Sequence, residues 1–212
     1  MKSTTKISSQ THEQPVEKAS EKPAYDNENS EVKYQNLVSQ LNPHFLFNSL
    51  ATLESLIYSD QRLAVKFLSQ LTRVYRYVLT TRHSKLVNLE EEVNFIKDYT
   101  DLLQTRFGKG LQVCITVPDT FYPYRIVPTA LQILIENATR HNLTDPDSPL
   151  QVSIKIDNQR LIVENNLQIK RTLEIQRQQG LTSLRNLYSY FSETTLEVHQ
   201  TPESFRVLLP LL

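Results

Sequence analysis

Two amphipathic segments with a very short connection between them constrain the fold of this chain most. Apolar residues recur every three or four positions over residues 32–57, and the same spacing returns over residues 63–79. This spacing is typical of helices that bury one face. Asp60 lies between the two segments, where its side chain can cap the second helix. Because the connection is so short, we predict an antiparallel helical hairpin.

A single helical hairpin leaves part of its apolar surface uncovered. Two copies that pair into a four-helix bundle would cover it, so the sequence predicts a homodimer.

Residues 1–30 differ from the hairpin, because they are rich in Ser, Thr, Lys, Glu, Gln and Pro and have almost no large apolar residue. Such a segment cannot recover the entropy that ordering costs, and we expect a disordered tail or linker there.

The second half of the chain mixes helical and strand patterns. Glu90, Glu91 and Glu92 predict the start of a third helix, which ends near Phe107. Later patterns predict a strand at 112–117, a helix at 129–141 with Pro128 in its first turn, a strand hairpin at 150–156 and 160–165, a helix at 181–191, and strands at 195–200 and 205–209. We therefore predict an α+β fold, with the helical hairpin at 31–86 followed by an α/β sandwich at 87–212.

Charge and composition exclude several classes of function. The 23 lysines and arginines balance 23 aspartates and glutamates, and no local basic patch is visible, so we expect no direct nucleic-acid binding. No stretch approaches the roughly 20 apolar residues that span a bilayer. The single cysteine, Cys114, lies in an apolar alternation, where it is expected to fill the core of a reduced protein. These features predict a cytoplasmic chain, with membrane contact only through a segment upstream of Met1.

The helical pattern is interrupted next to a histidine. Pro43 removes the N–H that would bond the Ser39 carbonyl, at a cost of about 3 kcal/mol in a helix interior. A kink at this point would hold the ring of His44 outward, and Asn48, one turn further along, could bond that ring and fix its tautomer. Taken alone, a helical histidine is more often a packing or solvent-exposed residue.

Residues 41–49, LNPHFLFNS, closely resemble the phosphoacceptor box of LytS/YehU-like sensor histidine kinases. Three later stretches are similar to the second and third helices of that family: residues 71–79, residues 87–92, and Tyr99 with Arg106 and Phe107. Ala51 departs from the family, which commonly has Asn there. The resemblance implies a homodimeric kinase in which ATP phosphorylates His44 and the phosphoryl group passes to a response regulator, often a DNA-binding one.

Residues 132–141, QILIENATRH, resemble the N box of the ATPase fold shared by histidine kinases, gyrase, Hsp90 and MutL. The resemblance implies binding of ATP with Mg²⁺. Asn137 is then a ligand of the metal, Glu136 orients the nucleophile or accepts its proton, and His141 reaches a phosphate oxygen. An amide oxygen suits Mg²⁺, which prefers oxygen ligands. Taken alone, these residues would also fit an ordinary polar helix face.

The other nucleotide motifs of that fold are degenerate in this sequence. Asn165 and Asn166 stand where the fold has an Asp-x-Gly-x-Gly motif, so only a neutral acceptor is offered to the adenine base. In the later glycine-rich turn, Gly180 is kept, Ser183 replaces a second glycine, and Asn186 follows. Fewer backbone N–H groups can then approach the phosphates closely.

Two cations offer a substitute for the missing glycines. Lys170 and Arg171 fall in the predicted lid at 166–180, where their charges would face the triphosphate. A solvated loop is the alternative interpretation of this segment. The sequence therefore leaves two hypotheses for the whole chain: a working histidine kinase, or a non-catalytic dimeric interaction module that keeps the fold with little or no ATP turnover.

Overall fold

The computed structural model describes residues 43–170 and 179–212, without the side chains of Pro43, His44 and Gln179. The predicted tail, residues 32–42 of the first predicted helix, and Arg171 of the predicted lid lie outside these ranges. The described helices are α1 (Pro43–Ser59), α2 (Gln61–Thr81), α3 (Leu89–Phe107), α4 (Ala130–His141) and α5 (Gln179–Phe191). The described strands are β1 (Val87–Asn88), β2 (Leu111–Thr116), β3 (Arg125–Ile126), β4 (Leu150–Asp157), β5 (Arg160–Asn166), β6 (Glu197–Gln200) and β7 (Ser204–Pro210).

Helices α1 and α2 form the predicted hairpin. They are joined through Asp60 and pack against each other. The Oδ1 atom of Asp60 accepts a hydrogen bond from the backbone N–H of Leu63 at 3.0 Å. This bond satisfies one of the free N–H groups at the start of α2. The hairpin and its cap are confirmed.

Helix α3 packs along α2 and carries the chain to the sheet. Arg73 of α2 donates two hydrogen bonds to Asp98 of α3, at 2.6 and 2.7 Å. The three glutamates lie in the first turn of α3, as predicted. Gly108 ends the helix with a φ of 56°, which glycine adopts without steric cost.

A mixed sheet forms the second layer of the described chain. Its strand order is β2-β4-β5-β7-β6, with β2 parallel to β4 and every other pair antiparallel. Asn158 and Gln159 connect β4 to β5 with positive φ values of 47° and 60°. Two such residues are typical of a tight hairpin turn. The predicted β4–β5 hairpin is confirmed.

The helices cover one face of this sheet, and the other face carries ion pairs. Inward residues of the central strands, such as Leu150, Ile154 and Leu161, are fully buried in the same core as α3, α4 and α5. On the other face, Glu164 accepts from Arg206 at 2.7 Å and from Lys155 at 3.4 Å. The predicted α+β fold class is therefore confirmed.

Three local expectations are wrong. Cys114 is exposed on β2 rather than buried, because the alternation of that strand turns Val113 and Ile115 inward. Pro128 lies before α4 instead of within its first turn. The segment between the strand predicted at 112–117 and the helix predicted at 129–141 contains a strand that was not predicted, β3, which pairs with β1. A strand of two residues is too short to show the alternation by which strands are recognised.

The buried core runs without interruption from the hairpin to the sheet. Phe67 and Val74 of α2 belong to the same cluster of buried residues as Ile96 of α3 and Ile154 of β4. The division of the chain at residues 86 and 87 stays a prediction. Every helix of the described residues is too short or too polar to cross a membrane.

The carboxylate of Glu92 joins three helices. Glu92 is fully buried on α3, and its Oε1 accepts a hydrogen bond from the N–H of Leu131 at 2.9 Å. Its Oε2 accepts from the N–H of Thr129 at 2.9 Å and from the hydroxyl of Tyr77 at 2.5 Å. Thr129 precedes α4 with a left-handed φ of 61° and makes no side-chain cap. Glu92 therefore supplies the cap that α4 lacks, from another helix.

Burial raises the pKa of the Glu92 carboxyl from 4.5 to about 7, although its three hydrogen bonds oppose this shift. Desolvation disfavours the charged form more than these bonds favour it. Because the pKa is higher in the folded chain, the folded chain holds this proton more tightly than the unfolded chain. The contribution of Glu92 to stability is complete below about pH 4.5 and is lost as the pH rises to about 7.

We predict that Glu92→Gln removes this pH dependence. Between pH 5 and pH 8, the wild-type free energy of unfolding should fall by roughly 2 to 3 kcal/mol more than that of E92Q, since one pKa unit corresponds to about 1.4 kcal/mol. Urea denaturation at both pH values measures the difference. The exposed neighbour variant Glu91→Gln should keep the wild-type dependence. Equal pH slopes for wild type and E92Q would contradict the assignment.

Candidate functional site

Helix α4 presents two different polar faces. Gln132 and Glu136 lie one turn apart and face α3. Asn137 and His141 also lie one turn apart, and they face a cavity against α5. Because consecutive residues of a helix are about 100° apart, the adjacent residues Glu136 and Asn137 point in different directions. The motif at residues 132–141 thus contributes side chains to two separate surfaces, one against α3 and one at the cavity.

Glu136 is held by two side-chain donors. Its Oε1 accepts a hydrogen bond from the hydroxyl of Tyr99 at 3.0 Å and from Nε2 of Gln132 at 2.8 Å. Burial, followed by the charge of Glu136, raises the pKa of Tyr99 well above its ordinary value. The same two causes raise the pKa of Tyr75 to about 12. Both phenols therefore stay protonated at neutral pH, and Tyr99 remains a donor.

An aromatic cluster connects this carboxylate to α1. The ring of Phe45 lies 5.0 Å from the ring of Tyr99 and 6.4 Å from that of Tyr75, centroid to centroid. Phe45 is 8% exposed and Tyr99 is 1% exposed. Phe45 directly follows His44 in the sequence. The start of α1 is thus packed against the residue that donates to Glu136.

The second face of α4 borders a cavity of about 460 Å³. This volume is in the range of pockets that bind small molecules. One part of the lining is apolar and the other is polar. The lining residues are Asn137, Ala138, His141, Asn142, Asn165, Leu167, Ile169, Leu181, Thr182, Arg185, Val198, Gln200 and Phe205.

The charge of the cavity comes from Arg185. Of the described lining residues, it alone carries a full charge when His141 is neutral, and Asp and Glu are absent from this set. Lys170 points elsewhere, because its Nζ donates to the carbonyl of Thr139 at 3.0 Å. Burial, and then the charge of Arg106, lower the pKa of Lys170. A planar guanidinium in a cavity without carboxylates suits an anionic ligand.

The hairpin and α3 match a known family. The Histidine kinase family model matches residues 32–111. The sensor protein LytS of Oceanobacillus iheyensis is 34% identical over 139 residues, which are 66% of this chain and 23% of that protein. The sensor histidine kinase BtsS of Escherichia coli K12 is 31% identical over 137 residues, which are 64% of this chain and 24% of that protein.

Over about two thirds of its length, the chain is a distant homologue of the sensor histidine kinases LytS and BtsS. It spans less than a quarter of the length of these curated relatives. Among solved structures, the catalytic domain of histidine kinase ThkA is similar with a TM-score of 0.41 and 12% identity, over 59% of this chain and 94% of that domain.

The predicted phosphoacceptor lies on α1. His44 is the second residue of that helix, and its side chain lies outside the described ones. Asn48 is half-buried, and its backbone carbonyl accepts from the hydroxyl of Thr52 at 2.9 Å. The kink at Pro43 and the hydrogen bond between Asn48 and the ring of His44 stay predictions.

The two asparagines at the end of β5 differ in position. Asn165 is buried and lines the cavity, and its Nδ2 donates to the backbone carbonyl of Asn166 at 2.6 Å. Its carboxamide oxygen is therefore the atom that can accept from a ligand. Asn166 instead bonds the backbone of Gln151 at 2.8 Å and of Pro149 at 3.1 Å. These bonds give Asn166 a structural role at the start of β4.

The predicted glycine-rich turn is part of α5. Gly180, Ser183 and Asn186 lie on this helix but outside the cavity lining. A Cβ atom at Gly180 would lie 3.5 Å from Cγ2 of Ile133, which is an ordinary contact. The fold therefore tolerates a side chain at this glycine. A role of these three residues in nucleotide binding stays a prediction.

The described residues offer no protein site that could hold a metal ion alone. Clusters of three or more His, Cys, Asp or Glu side chains are absent among them. Asn137 provides one amide oxygen at the cavity. One protein oxygen together with phosphate oxygens and water fits Mg²⁺, which keeps several waters when it binds with a nucleotide.

Sequence reasoning missed part of the cavity lining. Thr182 and Arg185 of α5, together with Gln200 and Phe205 of the last two strands, were not expected there. One signal was available for Arg185, because it is the only basic residue of the helix predicted at 181–191. The contribution of β6 and β7 depends on long-range strand pairing, which local patterns do not show.

Proposed function

We propose that this chain is the transmitter region of a two-component sensor histidine kinase, which binds ATP with Mg²⁺ and phosphorylates itself on His44. The observation that carries the proposal is that α4 presents Asn137 and His141 to a cavity of about 460 Å³ in which Arg185 supplies the positive charge. The family of the hairpin and α3 supports it, since His44 falls in the matched range.

The proposed reaction is an in-line phosphoryl transfer. A nitrogen of the His44 ring forms a bond to the γ-phosphorus as the bond from that phosphorus to the β–γ bridging oxygen breaks. ADP leaves with the electron pair of the broken bond. Glu136 accepts the proton that the imidazole ring loses. An aspartate of a response regulator then takes the phosphoryl group from His44.

In this proposal, different residues of the cavity bind the base and the phosphates of the nucleotide. The apolar side chains of Leu167, Val198 and Phe205 suit the flat face of a purine, and Asn165 suits its amino group. Arg185 and the first turn of α5 suit the phosphates. When bound, Mg²⁺ would neutralise developing negative charge, with Asn137 as its protein ligand.

The second hypothesis is a non-catalytic dimeric interaction module. It is favoured by the hydrogen bond that turns Lys170 toward α4, and by the positions of Gly180 and Ser183 on α5 outside the cavity lining. In that case the fold would be kept and the nucleotide contacts would be too weak for turnover.

We further propose a homodimer formed through the hairpin. Several large apolar side chains of α1 and α2 are exposed at helical spacing, including Phe47 at 68% and Val65 at 66%. A second copy of the hairpin would cover them in a four-helix bundle.

A response regulator is the second partner, and direct nucleic-acid binding is not expected. We place the chain in the cytoplasm.

Phosphorylation of His44 is tested with γ-labelled ATP and Mg²⁺. The wild-type chain should acquire label that is stable to base and labile to acid, as a phosphohistidine is, and His44→Gln should acquire none. Scintillation counting after acid and base treatment separates the classes of phosphoamino acid. Nucleotide binding without label in the wild type would support the interaction module. Label that survives in H44Q would show that the acceptor is wrong.

Arg185→Gln tests the anionic half of the cavity. We expect affinity for a non-hydrolysable ATP analogue to fall about tenfold, because a charge-assisted hydrogen bond contributes roughly 1.5–3 kcal/mol, while affinity for adenosine stays unchanged. Isothermal titration calorimetry measures both ligands. Arg62→Gln, an exposed arginine on α2, is the matched control and should bind like the wild type. An equal loss of affinity for adenosine would contradict the assignment to the phosphates.

The dimer is tested by charges on the exposed apolar face. Phe47→Glu combined with Val65→Glu should convert a dimer to a monomer, since burying two carboxylates at an apolar interface is unfavourable. Light scattering coupled to size exclusion measures the mass. The control is Lys66→Glu, which changes the charge of an exposed residue beside Val65. A wild-type chain that is monomeric would refute the dimer.

A further inference from the structure

A continuous series of contacts joins the neighbour of His44 to Glu136. Phe45 packs on the ring of Tyr99 at 5.0 Å, and the hydroxyl of Tyr99 donates to Oε1 of Glu136 at 3.0 Å. The three residues come from α1, α3 and α4. Phe45 and Tyr99 are both buried, so their contact is shielded from water. The helix that carries the proposed acceptor thus touches the residue that orients the proposed base.

We infer that Tyr99 is a positioning residue for Glu136, and that Phe45 couples this pair to the helix of His44. The inference rests on the proposed function, because it assigns Tyr99 a part in the proton transfer from His44. Tyr99 acts through Glu136, and it is not one of the residues that line the cavity.

Packing alone does not require the hydroxyl of Tyr99. A phenylalanine would fill the same aromatic site, and a buried hydroxyl is costly unless it is bonded. The acceptor of this hydroxyl is the carboxylate of the N-box helix rather than a backbone carbonyl. Gln132 donates to the same oxygen at 2.8 Å. Two donors on one oxygen hold the carboxylate in one orientation, which is what a proton acceptor near a reacting group needs.

The coupling runs through groups that stay neutral. Tyr75 and Tyr99 remain protonated at neutral pH, as their raised pKa values require. Arg106 of α3 is the positive group that acts on Tyr99. The orientation of Glu136 therefore depends on the packing of the aromatic rings. A displacement of α1 that separates Phe45 from Tyr99 loosens the donor and, through it, the carboxylate.

A double-mutant cycle tests the inference on the full chain. Tyr99→Phe keeps the ring and removes the hydroxyl, and Glu136→Gln removes the proton acceptor. We expect Y99F to lower the rate constant of His44 phosphorylation about tenfold, with the dissociation constant of the ATP analogue unchanged, since misorientation of a reacting group costs rate rather than affinity. In the E136Q background, Y99F should have no further effect. Phe45→Leu should follow the same pattern with a smaller change.

The matched control is Tyr75→Phe, which removes a hydroxyl from the same aromatic cluster and leaves the bond between Tyr99 and Glu136 in place. It should keep the wild-type rate. Additive effects of Y99F and E136Q, or an equal loss of rate in Y75F, would show that Tyr99 is only structural and overturn the inference. A wild-type chain that binds nucleotide but never labels His44 would overturn the proposed function and the inference together. Normal labelling with an additive cycle would overturn the inference alone.

Discussion

The buried carboxylate of Glu92 is the interaction on which the rest of this structure depends. Helix α4 begins after a left-handed threonine that makes no side-chain cap, so its first N–H groups need an acceptor from outside. Glu92 accepts from two of them and from Tyr77, which ties α4 to α3 and α2. The direction of α4 is therefore set by the same contact that joins the hairpin to the sheet layer. Burial of this carboxylate is costly, and its raised pKa records that cost.

Because the orientation of α4 is fixed, the motif at residues 132–141 can contribute side chains to two different surfaces. The orientation of α4 about its axis places Glu136 on the side of Tyr99 and the hairpin. The same orientation places Asn137 and His141 at the cavity. The proposed proton acceptor and the first proposed nucleotide ligand are thus neighbours in sequence whose side chains face different surfaces. A rotation of α4 by the angle of one residue would turn both sets of side chains away from their partners. This geometry explains why the start of α4 is held so firmly.

Local sequence patterns predicted the parts of the fold that depend on local interactions. The Asp60 cap, the acidic start of α3 and the β4–β5 turn are each determined by residues close in sequence, and all three are observed. Long-range partners could not be read in this way. The cap of α4 comes from Glu92, nearly forty positions earlier, and the bonds of Asn166 to the start of β4 depend on strand register. Arg185 was visible as a lone cation, but its cavity exists only once β6 and β7 have paired.

The exposed position of Cys114 gives the molecule a single natural attachment point for a thiol-reactive dye. The residue lies on β2, at one edge of the sheet, and it is separate from the cavity lining and from the contacts of Glu136. It is also the one cysteine of the whole sequence. A fluorophore attached there needs no background substitutions and leaves α4 untouched. Energy transfer from this edge to a second label on the hairpin would follow, in solution, how far the two layers separate while nucleotide is bound.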